Sequence, residues 1–159
     1  MRFQWLKDYQ ELEDQLLYLK WNLNKSKLEL HRWVFGDLSN VRLEKNSRSS
    51  SLEENIAKIE QEIERLEEQK AEMLLLIDAF KGVENDIVRM KYIEGLRLEE
   101  ISEELGYSDS YIRKKHAEIR SKLKFLDSYE LRDHERTNKI DELEYYRIDC
   151  KKDMQISLF

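Results

Sequence analysis

Two stretches of the chain repeat apolar residues at the alternating three- and four-residue spacing of a heptad. The first covers residues 1 to about 33, and its two seam positions are held by Tyr9, Leu16, Leu23 and Leu30 and by Trp5, Leu12, Leu19 and Trp33, with Ser26 as a gap. This spacing makes one narrow apolar stripe on a helix, and such a stripe must find a partner. The first stretch therefore predicts a long helix with one buried side.

The second heptad stretch covers residues 51–80. Its seam positions are held by Leu52, Ile59, Leu66, Met73 and Phe80 and by Ile56, Ile63 and Ile77, with Lys70 interrupting. Ser51 followed three residues later by Glu54 matches a capping box, which predicts that this helix starts at residue 51. The intervening FGD at 35–37 and NSRSSS at 46–51 are typical of loops.

Two helices of similar length joined by a loop predict an antiparallel hairpin, seam against seam, over residues 1–80. Each helix would be roughly 45 Å long at 1.5 Å per residue. The pattern leaves open whether the seams pair within one chain or between two chains, in which case the coiled coil would form a homodimer. A purely structural spacer is the default interpretation of such a segment.

The composition agrees with an all-α chain and excludes several function classes. The 159 residues include no proline and only 4 glycines, which favours long helices over sheets with tight turns. One cysteine and three widely spaced histidines offer no disulfide and no metal-ligand cluster, and we find no nucleophile–base set or phosphate loop. We therefore expect no enzymatic activity and no cofactor.

Neither a membrane span nor a signal peptide is visible in the sequence. No apolar run approaches the roughly 18–20 residues that a spanning helix needs, and the first residues, MRFQWLKDYQELEDQ, carry acids where a signal peptide is apolar. We expect a cytoplasmic, soluble protein with no membrane contact. Its formal charge of −6 leaves room for one basic face.

Residues 82–124 predict a helix-turn-helix with a further helix in front. Gly82 interrupts the long helix, and Leu98, Ile101 and Leu105 are spaced for one face of a two-turn helix. Gly106 offers the positive φ that a tight exit from this helix needs, and Ser108 can cap the helix that follows. Helix, short turn and helix is the arrangement that DNA-binding proteins use.

The second helix of this pair has an apolar side and a basic side. Ile112, His116, Ile119 and Leu123 recur at helical spacing and form the predicted inner face, which makes His116 a packed residue and not a catalyst. Residues 111–124 contain six bases and one acid, Glu118. A basic run is usually only a solvated face, but its place after a glycine turn favours DNA binding. The predicted DNA-contacting residues are Ser110, Tyr111, Arg113, Lys114, Ala117 and Arg120.

The segment VENDIVRMKYIEGLRLEEISEELGYSDSYIRKKHAEIRSKL resembles region 4 of bacterial σ factors. With the heptad hairpin in front, residues 5–125 are similar to small σ-like phage regulators of the RinA/ArpU type. The resemblance implies an activator of late genes that binds double-stranded promoter DNA and RNA polymerase, with the helices at 84–105 as the surface for the flap of the polymerase β subunit. No region 2 is present, so nothing here matches a −10 reader.

The chain departs from the σ pattern at three positions. Arg97 stands where the family usually has Ser or Thr, so the first helix of the pair lacks its expected N-cap. Ser102 replaces the usual Ala at the close crossing of the two helices, and Tyr111 replaces the usual Thr, which leaves the target sequence open. The acids Glu99, Glu100, Glu103 and Glu104 on the first helix would repel phosphates, so we expect them to face solvent or a basic protein.

The remaining residues, 127–159, form an acidic tail with nine acids and six bases, in which a short helix is predicted near 138–150. The final pentapeptide QISLF resembles the motif by which bacterial proteins dock on the β sliding clamp, and the predicted clamp-binding residues are Gln155, Ile156, Ser157, Leu158 and Phe159. The alternative for these five residues is a chance match or a tail that packs back on its own domain.

The sequence thus predicts three parts: a hairpin over 1–80, a σ-like helix-turn-helix over 81–126 and a tail over 127–159 with the clamp motif. The first hypothesis is a σ-like activator of phage late genes, tethered to the clamp. The alternative is a replication-directed protein that occupies or redirects the clamp and uses the helix-turn-helix as a DNA anchor. A third interpretation is a coiled-coil scaffold without DNA affinity.

Overall fold

The chain is all-α, as predicted. The computed structural model describes the backbone of residues 2–38 and 45–156 and the side chains of 2–38 and 50–151. Six α-helices occur within these ranges, with no strand: α1 (Arg2–Lys7), α2 (Tyr9–Val34), α3 (Lys45–Ala79), α4 (Val83–Val88), α5 (Leu98–Leu105) and α6 (Asp109–Ile156). A π-helical turn, Arg89–Ile93, continues α4. A search of the described helices for a segment able to cross a membrane found none.

Helices α2 and α3 pack along each other in antiparallel directions within one chain. Lys70 Nζ lies 3.0 Å from Glu13 Oε1, and Lys27 Nζ lies 2.8 Å from Glu60 Oε1. The α3 partner therefore moves back along α3 as the position on α2 advances. Between the two helices lies a core of heptad residues: Tyr9, Leu12, Leu16, Leu66 and Met73.

Helix α3 begins earlier than predicted. It starts at Lys45, so residues 46–51 are helical and not a loop, and the predicted N-cap at Ser51 is wrong. Ser followed three residues later by Glu also fits the solvent side of a continuing helix, where Ser51 and Glu54 both lie exposed. No proline or glycine stands between Lys45 and Ser51 to stop the helix.

A second core holds the carboxyl-terminal helices together, and it includes the start of the chain. Its buried members are Phe3, Leu6, Ile77, Ile87, Val88, Tyr92, Ile101, Ile112, Ile119 and Leu123. Residues from both sides of the expected boundary at 80 share this core. The backbone N–H of Arg2 donates to Asp127 Oδ1 at 3.0 Å, and the Arg2 guanidinium lies 2.8 Å from Glu130. The short helix α1 is thereby fixed to α6.

Helix α6 is longer than predicted and is the longest element. Its 48 residues run without a break through the expected boundary at residue 126, a length of roughly 72 Å. The separate short helix predicted near 138–150 is therefore wrong, because that segment is part of α6. Side chains from Leu131 to Lys151 are exposed throughout.

The turn after α5 gives a direct test of the fold. Gly106 ends α5 with φ 74° and ψ 22°, as predicted, and a Cβ there would meet no neighbouring atom within 4 Å. We expect Gly106→Ala to lower the free energy of unfolding by about 1–2 kcal/mol through backbone strain alone. Gly106→Asn, which tolerates this conformation better, should be less destabilising. Equal stability of wild type and Gly106→Ala in urea unfolding would contradict the assignment.

Candidate nucleic-acid interface

The orientation of α6 is fixed by three buried side chains on its inner side. Ile112, Ile119 and Leu123 are almost completely inaccessible to solvent and lie in the second core. A helix turns by about 100° per residue, so the residues between them must point away from α4 and α5. Burial of this apolar side is what presents the basic side to solvent.

The turn between α5 and α6 is held by local hydrogen bonds. Ser108 caps α6 as predicted: its Oγ accepts from the backbone N–H of Tyr111 at 3.4 Å, and its carbonyl accepts from Ile112 at 3.1 Å. Ser102 is buried where the two helices meet, and its hydroxyl donates to the carboxylate of Asp109. The two helices are therefore joined by a polar contact as well as by the core.

The start of α5 has half of a capping interaction. Arginine carries no acceptor, so the Arg97 side chain cannot cap the helix, in agreement with the expectation from sequence. The backbone N–H of Arg97 nevertheless donates to Glu100 Oε2 at 2.7 Å. One of the donors at the helix start is thereby satisfied.

The six predicted DNA-contacting residues all lie in the first turns of α6. Five of them are exposed: Ser110, Arg113, Lys114, Ala117 and Arg120. The sixth, Tyr111, is half-buried and stacks on Tyr107, with ring centroids 4.9 Å apart and planes inclined by 28°. The small side chains of Ser110 and Ala117 leave the helix backbone accessible between the longer bases. This exposed side of α6, defined by the six residues, is called the basic face below.

Half of the bases in this region are held by acids of the same chain. Arg113 binds Glu99 on α5 at 2.5 Å, Lys115 binds Glu118 at 2.9 Å, and Lys122 binds Glu84 on α4 at 2.8 Å. The other three have no ion pair among the described residues: Lys114, Arg120 and Lys124. The sequence reading missed these pairs, because helix packing is needed to bring α4 and α5 beside α6. It placed Glu99 toward solvent or a second protein, whereas Glu99 binds Arg113.

Ion pairing also sets the charge of the short acidic interruption in the face. The ammonium of Lys115 holds the pKa of Glu118 below its usual range, and Glu118 in turn raises the pKa of Lys115. Both groups are therefore charged at neutral pH and compensate one another. The free positive charge of the region is accordingly smaller than the six bases suggest.

His116 lies at the edge of the inner side and is half-buried. Its Nε2 is 3.1 Å from the hydroxyl of Tyr92, which the π-helical turn carries and which packs edge-on against Phe3. Burial lowers the pKa of His116, and the positive charges of Arg120 and Lys91 lower it further. The imidazole is therefore neutral at pH 7 and acts as a packed hydrogen-bonding group.

The predicted clamp-binding residues lie at or beyond the end of the description. The backbone of Gln155 and Ile156 forms the last residues of α6. Ser157, Leu158 and Phe159 lie outside the described residues. The helix that leads to them is exposed along 131–151, so the segment before the motif is solvent-accessible.

Comparisons with protein-family models, with curated proteins and with solved structures find no match to this chain. Within residues 2–38 and 45–156, no three metal-ligating side chains come together in a group that could hold an ion. A functional assignment therefore depends on the geometry of the basic face and on the sequence resemblance.

The histidine contact predicts a pH dependence of stability. Because the folded-state pKa of His116 lies below its ordinary value of 6.5, the unfolded chain binds more protons in this range, and the free energy of unfolding should fall as pH drops below about 6.5. Urea unfolding between pH 7.5 and 5.5 measures this loss. His116→Gln should reduce the pH dependence; an identical dependence in the variant would refute the contribution of His116.

Proposed function

We propose that this protein is a σ-like, DNA-binding transcription activator that recruits bacterial RNA polymerase to promoters, of the kind used for phage late genes, and is tethered to the β sliding clamp by its carboxyl terminus. The observation that carries the proposal is the exposure of the basic face at the start of α6, directly after the Gly106–Ser108 turn. Its apolar opposite side is buried, so the face has a fixed orientation.

The dimensions and chemistry of the basic face suit the major groove of duplex DNA. An α-helix with its side chains is about 10–12 Å across, and the major groove is about 12 Å wide. Ser110 and Ala117 would allow close approach, while Lys114 and Arg120, which have no ion pair in the described part, could reach phosphates or base edges. Arg113 could join them once it leaves Glu99.

The acidic residues of α5 support a limited footprint on DNA. Glu99, Glu103 and Glu104 are exposed on the helix that precedes the basic face. Carboxylates near phosphates are unfavourable, so the contact should be confined to α6. Glu99 also competes with DNA for Arg113, which should weaken binding to unrelated sequences.

The proposed polymerase contact follows from the resemblance to σ region 4. The implied surface, residues 84–105, comprises most of α4, the π-helical turn and α5, and the acids of α5 on it are exposed. An acidic, exposed surface is suited to a basic partner. In this arrangement the DNA contact and the polymerase contact use neighbouring helices.

The proposed clamp contact follows from the position of QISLF at the end of a long exposed helix. A short peptide of this kind binds weakly, on the order of micromolar. A second contact on the same chain raises its effective concentration greatly. DNA binding through the basic face would supply that second contact.

DNA binding can be tested by opposing charge changes. Arg113→Ala with Lys114→Ala should weaken binding to duplex DNA about tenfold or more in a fluorescence anisotropy titration at fixed salt, since two positive contacts are lost. Glu99→Gln should strengthen binding severalfold, because it releases Arg113.

Matched controls separate this effect from net charge. Lys58→Ala with Lys81→Ala removes the same charge from exposed positions elsewhere, and Glu68→Gln removes an exposed acid of α3. Both controls should leave the affinity nearly unchanged. If the Arg113 and Lys114 variant binds like wild type, the proposed interface is wrong and the scaffold interpretation is favoured.

The clamp contact can be tested by pull-down on immobilised clamp. The full chain should be recovered, and a chain truncated after Met154 should not, because it lacks all five motif residues. Substituting Leu158→Ala with Phe159→Ala should have nearly the same effect. Equal recovery of the full and truncated chains would remove the clamp from the proposal without affecting the DNA-binding part.

Run-off transcription from a late promoter distinguishes activation from a role in replication. We expect more transcript when the clamp is loaded on the template, and the gain should disappear with the truncated chain. A clamp that binds the protein without any change in transcript would support the alternative, in which the protein occupies or redirects the clamp.

A further inference from the structure

One side of α2 carries an apolar stripe that no part of the described chain covers. Leu17, Trp21, Leu28 and Phe35 have exposed fractions of 71%, 59%, 69% and 77%. Their spacing of four, seven and seven residues places them in one row, on the side of α2 opposite the seam that packs on α3. Exposed apolar rows of this size usually mark an interaction site. This row is called the outer face of α2 below.

Positive charge flanks the outer face of α2. Lys25 lies over the ring of Trp21, with its Nζ 5.4 Å from the ring centroid, and Arg32 lines the same groove of about 590 Å³ as Trp21 and Leu28. Lys20 and Lys27 follow the other edge, where they also bind acids of α3. Two copies of this face placed against each other would bring like charges together. The occupant that fits is an apolar helix with acidic flanks.

The exposed portion of α6, residues 131–151, has the complementary character and is called distal α6. It includes exposed apolar side chains: Leu131, Ile140, Leu143, Tyr145, Tyr146 and Ile148. Residues 140–150 carry four acids and one base, Arg147. An isolated helix is marginally stable in water, and most helices in proteins are stabilised by packing of one face. Distal α6 has no such packing within its own chain.

The two surfaces also agree in length. The outer face of α2 extends from residue 17 to 35, about 27 Å, and distal α6 spans about 30 Å at 1.5 Å per residue. Within one chain they do not meet, because α6 continues straight past the last contact of α1, at Glu130. A second copy of the chain can bring them together.

We propose that distal α6 of one copy packs on the outer face of α2 of a second copy, and that the exchange is reciprocal. A reciprocal exchange closes the assembly as a two-fold dimer with both contacts equivalent. Each contact buries apolar side chains from both helices and places the acids of distal α6 beside Lys25 and Arg32. The proposal is independent of DNA binding, because neither surface includes the basic face.

The single cysteine of the chain, Cys150, allows a sharp test. It is exposed and lies near the end of distal α6, so the exchange places it close to one end of the outer face of the partner's α2. Two full-length variants, Leu17→Cys with Cys150→Ser and Phe35→Cys with Cys150→Ser, are each co-expressed with differently tagged wild type. After mild oxidation, a mixed disulfide should form with one variant and not the other, which also gives the relative direction of the helices.

The same gels show the competing pairings. Disulfide-linked wild-type homodimers through Cys150 would indicate pairing of distal α6 with itself, and linked homodimers of either variant would indicate pairing of α2 with α2. Either result, or the absence of a mixed disulfide with both variants, would overturn the proposal.

Sedimentation equilibrium tests the charge complementarity. Wild type should be a dimer at tens of micromolar, and Lys25→Glu with Arg32→Glu should shift it to monomer without loss of helical circular dichroism. Adding Glu142→Lys and Glu144→Lys should restore the dimer, while the control Lys58→Glu with Lys81→Glu should remain dimeric. A monomeric wild type, or a dimer unaffected by the first pair of changes, would refute the exchange.

Discussion

The burial of Ile112, Ile119 and Leu123 is the contact on which the rest of the structure depends. These side chains join α6 to α4 and α5, and the same core receives Leu6 from the start of the chain and Ile77 from the end of α3. The hairpin and the carboxyl-terminal helices are therefore stabilised together. An apolar side chain of this size contributes roughly 1.5–3 kcal/mol when fully buried, so loss of any one should be felt in both parts.

The second organising force is electrostatic. A chain with a formal charge of −6 presents one concentrated group of bases and compensates half of them with its own acids, through Glu84, Glu99 and Glu118. Exposed ion pairs of this kind contribute little to stability, commonly 0–1 kcal/mol or so. Their larger effect would be on recognition, because a polyanion must offer Arg113 or Lys122 a better partner than the carboxylate already bound.

Heptad spacing was enough to predict the all-α class, the buried seam residues and the turn at Gly106. It could not reveal that Phe3 and Leu6 belong to the distant second core, since three apolar positions near a terminus define no stripe. The capping pattern at Ser51 failed because the same residues suit a helix interior on the solvent side. The ion pair of Arg113 with Glu99 depends on how α5 crosses α6, and neither residue carries a local signal of it.

The continuity of α6 has a geometric consequence for the chain's evolution. With no bend or loop between the basic face and the last described residues, the angle of the tail about the helix axis is fixed by the number of residues between them. Each inserted residue would turn the tail by about 100° and advance it by about 1.5 Å. Insertions of seven residues nearly preserve the angle, whereas an insertion of two turns the tail to the opposite side. The sequence of this segment can therefore vary freely where its length cannot.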